Sequence, residues 1–182
     1  MLRAIDGDSL ADVRDRALLA FGMASALRRS ELVALTVADL ERAPDGLRVR
    51  VVRSKTDQER KGVVIAVPDG RRLNPVAHLD AWLARAGIGE GPVFRSLVNG
   101  RVGAALTDQS VSLIVKRRAE AAGYAAADVA AHSLRAGFLT SAAAGASIGT
   151  MREVSRHKSV QALSDYVRNS DLLKDHAGKD FL

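Results

Sequence analysis

The last third of the chain reads HSLRAG at residues 132–137, SRHKS at 155–159 and SDYVR at 164–168. These segments place a tyrosine hydroxyl, two imidazoles and a guanidinium close together in a basic chain, on His132, Arg135, His157 and Tyr166. A phenolic oxygen is a nucleophile once it is activated, and guanidinium groups bind phosphate oxygens. The combination predicts attack of a tyrosine on a phosphodiester that the cations hold.

The spacing of these groups suits helices. His132 and Arg135 are three positions apart, so on a helix they share a face and reach the same phosphate. Because a phenol has a pKa of about 10, it lies roughly 4 kcal/mol from its nucleophilic form at neutral pH. The transition state also gains negative charge on the phosphate oxygens, which requires fixed hydrogen-bond donors around them. Each motif alone is weak, since HxxR recurs by chance and a single tyrosine such as Tyr166 is usually a half-buried packing residue.

The composition points to a nucleic-acid partner. Lys and Arg number 27 against 21 Asp and Glu, which gives a net charge of +6 and a sequence pI near 10.2 over 182 residues. Aromatic residues make up only 4%, too few for a surface that stacks single-stranded bases, so duplex DNA is the better guess. A merely soluble basic protein remains the alternative.

Metal and membrane functions are not indicated. The chain has no cysteine, and its four histidines show no close pairing of the kind that zinc sites use, so we expect no metal and no cofactor. No apolar run approaches a membrane span, and no signal-peptide pattern opens the chain. We expect a cytoplasmic, nucleoid-associated protein.

Periodicity predicts a mainly α fold with a small antiparallel β-sheet, within one domain. Strands are predicted at 47–51 and 63–67, joined by the polar connection SKTDQERKG at 54–62. Gly89 to Gly103 is predicted to be loop. The predicted helices start after Asp8 or Ser9, near Arg29, at Asn74-Pro75, after Thr107, near His132, after Ser147 and near Val160.

Five motifs occur in a fixed order: LRRSEL at 27–32, SKTDQ at 54–58, HSLRAG, SRHKS and DYVR. Alone, Arg28 would be a surface charge and Lys55 a solvated loop residue. As a set, the motifs resemble the catalytic domain of the tyrosine recombinases (phage integrase family), with HSLR at 132–135 and AGAS at 144–147 similar to its Cre-like members. The resemblance covers residues 9–170 and implies the DNA breaking-rejoining fold.

The resemblance also implies roles for the reactive groups. Arg28 and Arg135 would clamp the scissile phosphate, and His157 would donate a hydrogen bond to it. Tyr166 would form a 3′-phosphotyrosyl bond, which preserves the ester energy so that rejoining needs neither ATP nor metal.

Two further groups would move protons. Lys55, on the hairpin between the predicted strands, would protonate the leaving 5′-oxygen, and His132 would assist proton transfer at the nucleophile. Glu31, three positions after Arg28, is expected to orient that arginine.

Two positions depart from the family pattern. Arg156 stands where a glycine commonly precedes the motif histidine, and Arg29 stands where an apolar residue commonly follows the first arginine. Neither change removes a reactive group, but the first leaves the geometry of the turn beside His157 open.

The helix after Thr107 matches the family element that lies in the DNA major groove. Gln109 is expected to pair with an adenine edge, and Lys116, Arg117 and Arg118 to contact phosphates. For any one of these basic residues, a solvated surface position is an equally good reading.

The resemblance further predicts the organisation of the chain. Residues 1–8 would be a linker remnant, 9–170 the catalytic domain and 171–182 a tail that links protomers, with a frayed terminus as its alternative. The N-terminal core-binding domain of the family is expected to be absent, so DNA affinity should be modest and salt-sensitive. We expect a tetramer on double-stranded DNA and a monomer in isolation.

Two other functions compete with site-specific recombination. A type IB topoisomerase shares the tyrosine and cation chemistry but relaxes supercoils without exchanging strands. A catalytically silent DNA-binding module would keep the fold alone. The complete set of reactive residues disfavours the silent module, and the sequences of the SKTDQ and HSLRAG motifs favour the recombinase.

Overall fold

The structure, a computed structural model, describes residues 1–52, 62–125, 133–157, 159–161, 163, 164 and 166. The helices are α1 (Leu10–Ser25), α2 (Arg29–Ala34), α3 (Pro75–Ala86), α4 (Asp108–Ala121), α5 (Ser133–Ala143) and α6 (Ile148–Ser155), with short 3-10 turns at Leu2–Ala4 and Val37–Asp39. The strands are β1 (Leu40–Ala43), β2 (Gly46–Val51), β3 (Val63–Pro68), β4 (Arg95–Val98) and β5 (Arg101–Ala105). The predicted class, mainly helical with a small antiparallel sheet, is confirmed.

Helix starts follow from side chains that accept backbone N–H groups. Ser9 caps α1 and forms a capping box with Asp12, so of the two predicted caps Ser9 is the one used. Thr107 and Ser147 cap α4 and α6, as predicted. Asn74 does precede α3, but its side chain accepts no capping bond and its backbone is left-handed at φ 42°.

The sheets are larger than predicted. β1, β2 and β3 form one antiparallel sheet in that order, with Val49 opposite Ile65, and β1 was not predicted. The prediction of loop over Gly89–Gly103 was wrong, because β4 and β5 pair as a hairpin there. Asn99 and Gly100, both at positive φ, make the tight turn that the hairpin requires.

One large apolar core joins α1, α3 and the three-stranded sheet. Trp82 is fully buried in it, as predicted, and its indole N–H donates to the carbonyl of Val93 at 2.8 Å. A second, smaller cluster of Leu139, Ala143, Met151 and Leu163 lies beneath α5 and α6. Since α5 also packs on α1, the end of α1 and the start of α2 lie beside the helices of the C-terminal part.

The predicted C-terminal elements are described only in part. The helix predicted to begin near Val160 is helical at the described positions Gln161, Leu163, Ser164 and Tyr166. The predicted tail, 171–182, lies outside the described residues. Within the described ranges, no helix combines the length and the apolar character needed to span a membrane.

Candidate active site

Four of the six predicted catalytic residues line one pocket of about 170 Å³. Arg28 comes from the start of α2, Arg135 from α5, His157 from the turn after α6, and Tyr166 from the following helical segment. Ala136 and Leu139 form the apolar part of the pocket lining. Residues more than a hundred positions apart in sequence thus meet around a space that suits a phosphate group.

Arg28 is held in place by Glu31, the residue that was expected to orient it. It is the N-cap residue of α2, and its backbone N–H donates to Glu31 Oε2 at 2.8 Å while its Nη1 donates to Oε1 at 2.8 Å. Burial alone would raise the pKa of Glu31, but the bond from the Arg28 amide and the charges of Arg156 and Arg28 lower it overall. Glu31 therefore stays ionised and fixes an arginine whose side chain remains half exposed.

Arg135 is a buried cation, only 7% exposed. Its Nη1 donates to the carbonyl of Ala26 at 2.8 Å, and its Nη2 donates to the carbonyl of Ser155. Burial, followed by the positive charges of Arg28 and Arg156, lowers the pKa of Arg135 to about 10, so the guanidinium remains charged at neutral pH. The fold thus supplies a fixed positive charge on the pocket wall, which is what an anionic transition state needs.

His157 is neutral at physiological pH. Burial lowers its pKa, and the charges of Arg135 and Arg28 lower it further. Its Nδ1 lies 2.7 Å from Ser155 Oγ and 3.3 Å from Arg135 Nη2. Because a guanidinium only donates, Nδ1 must accept, and Ser155 directs its proton to Nδ1 or to the carbonyl of Met151. The ring proton therefore resides on Nε2, where it can serve as a hydrogen-bond donor.

Tyr166 both packs and lines the pocket. Its ring lies against the small apolar cluster that contains Leu139, Met151 and Leu163. It is close enough to Arg135 that its phenolate charge would favour the charged guanidinium. The packing role and the proposed chemical role are therefore compatible in one residue, because the apolar cluster orients the ring that carries the hydroxyl.

Lys55 and His132 lie outside the described residues, so their roles stay predictions. The described chain brackets both positions. β2 ends at Val51 and β3 begins at Val63, as expected for a hairpin that carries Lys55, and α5 begins at Ser133, directly after His132.

The predicted DNA contacts on α4 fall into two groups. Gln109 and Lys116 are exposed on its outer face. Arg117 donates to Asp15 Oδ2 at 2.9 Å, and Arg118 donates to the same oxygen at 2.8 Å and to Asp12 at 2.6 Å. The structure thus places Arg118 between α4 and α1, where it joins the two helices. None of these four side chains lines the pocket of Tyr166.

Two sets of ion pairs, made by Asp15 and by Arg156, escaped prediction. Asp15 is 0% exposed and accepts hydrogen bonds from three arginines, including the adjacent Arg14. The sequence feature that could have indicated this buried role is the position of an acidic residue on the apolar side of α1. Arg156, noted as a departure from the family pattern, forms an ion pair with Glu31 Oε2 at 2.6 Å. Its backbone is left-handed at φ 55°, the conformation for which glycine is usual, so the turn before His157 is made without glycine.

In the described part of the chain, no group of three or more His, Asp or Glu side chains is placed to hold a metal ion. The pocket of Tyr166 instead presents guanidinium groups and an imidazole, which are donors to an anion. The chemistry of these side chains therefore favours a phosphate over a cation as the bound group.

Comparison with known sequences identifies related proteins. The model of the phage integrase family matches residues 1–172. An integrase/recombinase xerD homolog of Selenomonas ruminantium is 38% identical over 177 residues, which are 94% of this chain and 52% of the relative. Tyrosine recombinase XerD of Corynebacterium glutamicum is 29% identical over 166 residues, which are 90% of this chain and 51% of the relative. The chain spans about half the length of these curated relatives.

Solved structures share the fold. XerH site-specific recombinase, in a post-cleavage complex with a palindromic difH substrate, superposes with a TM-score of 0.75 at 19% identity over 94% of this chain and 47% of XerH. XerA recombinase gives a TM-score of 0.68 at 19% identity over 91% of this chain and 54% of XerA. With a family match that extends over nearly all of its residues, the chain belongs to the phage integrase family.

Proposed function

We propose that this chain carries the strand-cutting and rejoining centre of a tyrosine-type site-specific DNA recombinase. The observation that carries the proposal is the pocket in which Arg28, Arg135, His157 and Tyr166 meet. Two fixed cations, a neutral imidazole donor and a phenol around a space of phosphate size form a site for nucleophilic attack on a phosphodiester.

The proposed reaction proceeds through a covalent intermediate. The phenolic oxygen of Tyr166 forms a bond to phosphorus as the bond from phosphorus to the 5′-oxygen breaks, so the 3′-phosphate becomes esterified to the tyrosine. Arg28 and Arg135 would neutralise the charge that develops on the phosphate oxygens. His157 would donate its Nε2 proton in a hydrogen bond to one of those oxygens, in keeping with its Nδ1 contacts to Ser155 and Arg135.

Proton transfer is assigned to the two predicted residues outside the described chain. His132 would accept the phenolic proton, and Lys55 would supply a proton to the departing 5′-oxygen. Because one phosphodiester bond is exchanged for another, a second 5′-hydroxyl can attack the phosphotyrosine and reseal a strand without ATP, metal or other cofactor.

The proposed partner is double-stranded DNA. The net charge of +6 and the exposed Gln109 and Lys116 on α4 support this partner, as does the difH complex of the structurally similar XerH. On this proposal Gln109 would contact a base edge, while Lys116 and Arg117 would contact phosphates and Arg118 would chiefly hold α4 in place. A tetramer on DNA, a monomer without it, and a location at the nucleoid are parts of the same proposal.

The test is covalent capture. The chain is incubated with duplexes that carry a nick beside a randomised segment, so that cleavage releases a short strand and traps the intermediate. We expect an adduct that survives denaturing electrophoresis and is lost in Tyr166→Phe. The chain has one other tyrosine, Tyr124, which is 59% exposed, and Tyr124→Phe is the matched control that should retain the adduct.

Three results would redirect the assignment. An adduct that persists in Tyr166→Phe would show that the nucleophile is another group. The DNA sequence recovered from the trapped duplexes is the selected sequence. Relaxation of a supercoiled plasmid that lacks it would favour the type IB topoisomerase. Failure of the wild-type chain to form any adduct, while it still binds the duplexes, would favour the silent DNA-binding module.

A further inference from the structure

Arg156 occupies a backbone position that an arginine does not favour. It is the C-cap residue of α6, with φ 55° and ψ 39°, directly before His157. In this left-handed region the Cβ atom approaches the following carbonyl oxygen, so any residue with a side chain is strained relative to glycine. A compensating interaction is therefore expected from the side chain.

The side chain supplies that interaction through Glu31. The side chain of Arg156 is only 9% exposed, that of Glu31 only 11%, and Nη2 lies 2.6 Å from Oε2. The same Oε2 atom accepts the backbone N–H of Arg28, and Oε1 accepts its Nη1. One carboxylate thus holds two guanidiniums, of which one lines the phosphate pocket and the other lies on the turn that carries His157.

The arrangement connects two sides of the pocket that are remote in sequence. Arg28 enters from the start of α2, and His157 enters from the end of α6. Between them, the ion pair spans 125 positions of the chain. Arg156 also adds positive charge near the site, since its charge is among the causes that lower the pKa of Arg135.

We propose that Arg156 is a positioning residue for strand cleavage: through Glu31 it fixes Arg28 against the phosphate and ties the turn that carries His157 to the start of α2. This inference rests on the proposed function. It predicts that Arg156 affects the rate of cleavage at saturating DNA, because it orients the group that stabilises the transition state, and affects DNA affinity little.

The test compares variants that keep the turn. Arg156→Gly accepts the left-handed backbone without strain and removes the ion pair. We expect it to remain folded, to bind the selected nicked duplex within about twofold of wild type, and to form the Tyr166 adduct about 10- to 100-fold more slowly. Arg156→Lys, which keeps the charge, should recover part of the lost rate.

Two controls separate positioning from charge and from folding. Arg152→Ala removes one exposed positive charge from the same helix, and it should cleave at nearly the wild-type rate. In a Glu31→Gln background, Arg156→Gly should cost much less than it does alone, because the shared carboxylate is gone. Thermal unfolding of each variant shows whether the folded fraction is the same.

The outcomes also separate this proposal from the proposed function. If Arg156→Gly cleaves within twofold of wild type, or if Arg152→Ala loses as much rate, the positioning role is wrong while the wild-type adduct still supports a recombinase. If the wild type forms no adduct, binding of orthovanadate still tests the role, because this anion occupies the phosphate pocket without the many other contacts that dominate duplex affinity. Weaker orthovanadate binding by at least about fivefold in Arg156→Gly supports it, and unchanged binding overturns it.

Discussion

Asp15→Ala should be among the most destabilising single substitutions in this chain. Asp15 is completely buried, and its two carboxylate oxygens accept bonds from Arg14 at 2.8 and 3.0 Å, Arg117 at 2.9 Å and Arg118 at 2.8 Å. Removing the carboxylate leaves these guanidiniums facing one another without a counter-charge. This network joins α1 to α4, so α4 should loosen before the rest of the fold.

The magnitude follows from the burial of the carboxylate. Breaking a buried ion pair by deleting one partner costs about 3–5 kcal/mol, since a charge is left uncompensated. A domain of this size loses about 2–4 °C of melting temperature per kcal/mol, so we expect a fall of about 6–20 °C. Arg117 is largely exposed and regains water, which places the expected value toward the lower end.

Urea and thermal unfolding followed by circular dichroism measure this loss. The matched control is Glu41→Ala, which removes an exposed ion pair with Arg48 whose atoms are 3.4 Å apart. Exposed pairs contribute about 0–1 kcal/mol, so the control should unfold within a few degrees of wild type. If Asp15→Ala is no less stable than Glu41→Ala, the buried network does not hold the two helices together.

Three further predictions address the core, the pocket and the DNA surface. Trp82→Phe removes the buried donor to the Val93 carbonyl and should cost about 1–3 kcal/mol in urea unfolding; a loss below about 0.5 kcal/mol would contradict the role of that bond. The folded-state pKa of His157 lies below its ordinary value of 6.5, so the unfolded chain binds the proton more readily and stability should fall as pH drops from about 6.5 to about 5, above the range in which carboxylates titrate. In this range His157→Gln should show a smaller fall, with His78 contributing the remainder, and equal pH profiles would contradict this. Lys116→Ala should weaken binding to all duplexes alike and reduce the slope of log K against log salt by about 1, whereas an unchanged slope would argue against a phosphate contact.

Local features of the fold were predictable because they depend on neighbouring residues. Ser9, Thr107 and Ser147 lie one position before their helices, and each accepts a backbone N–H from within the first turn. The alternation of Leu47, Val49 and Val51 likewise marked the buried face of β2. β4 and β5 escaped prediction because they are four and five residues long and contain no buried residue, so no apolar alternation marks them.

The side chains that line the pocket were predictable from motifs, and the residues that hold them in place were not. Ordered motifs pointed to Arg28, Arg135, His157 and Tyr166, and the pocket contains all four. The ion pairs of Glu31 with Arg156 and of Asp15 with Arg118 join residues 125 and 103 positions apart. The local sequence pattern does not predict such ion pairs, because they form only after the helices pack.

In the proposed reaction, Tyr166 becomes covalently bonded to the 3′-phosphate of a cut strand. The most direct test of this step is to trap the adduct on a selected nicked duplex, digest the DNA and the protein, and locate the nucleotide by mass spectrometry of the peptides. We expect a nucleotide on the peptide that contains Tyr166, and none in Tyr166→Phe. A nucleotide on Tyr124, or on any other residue, would contradict the proposed reaction.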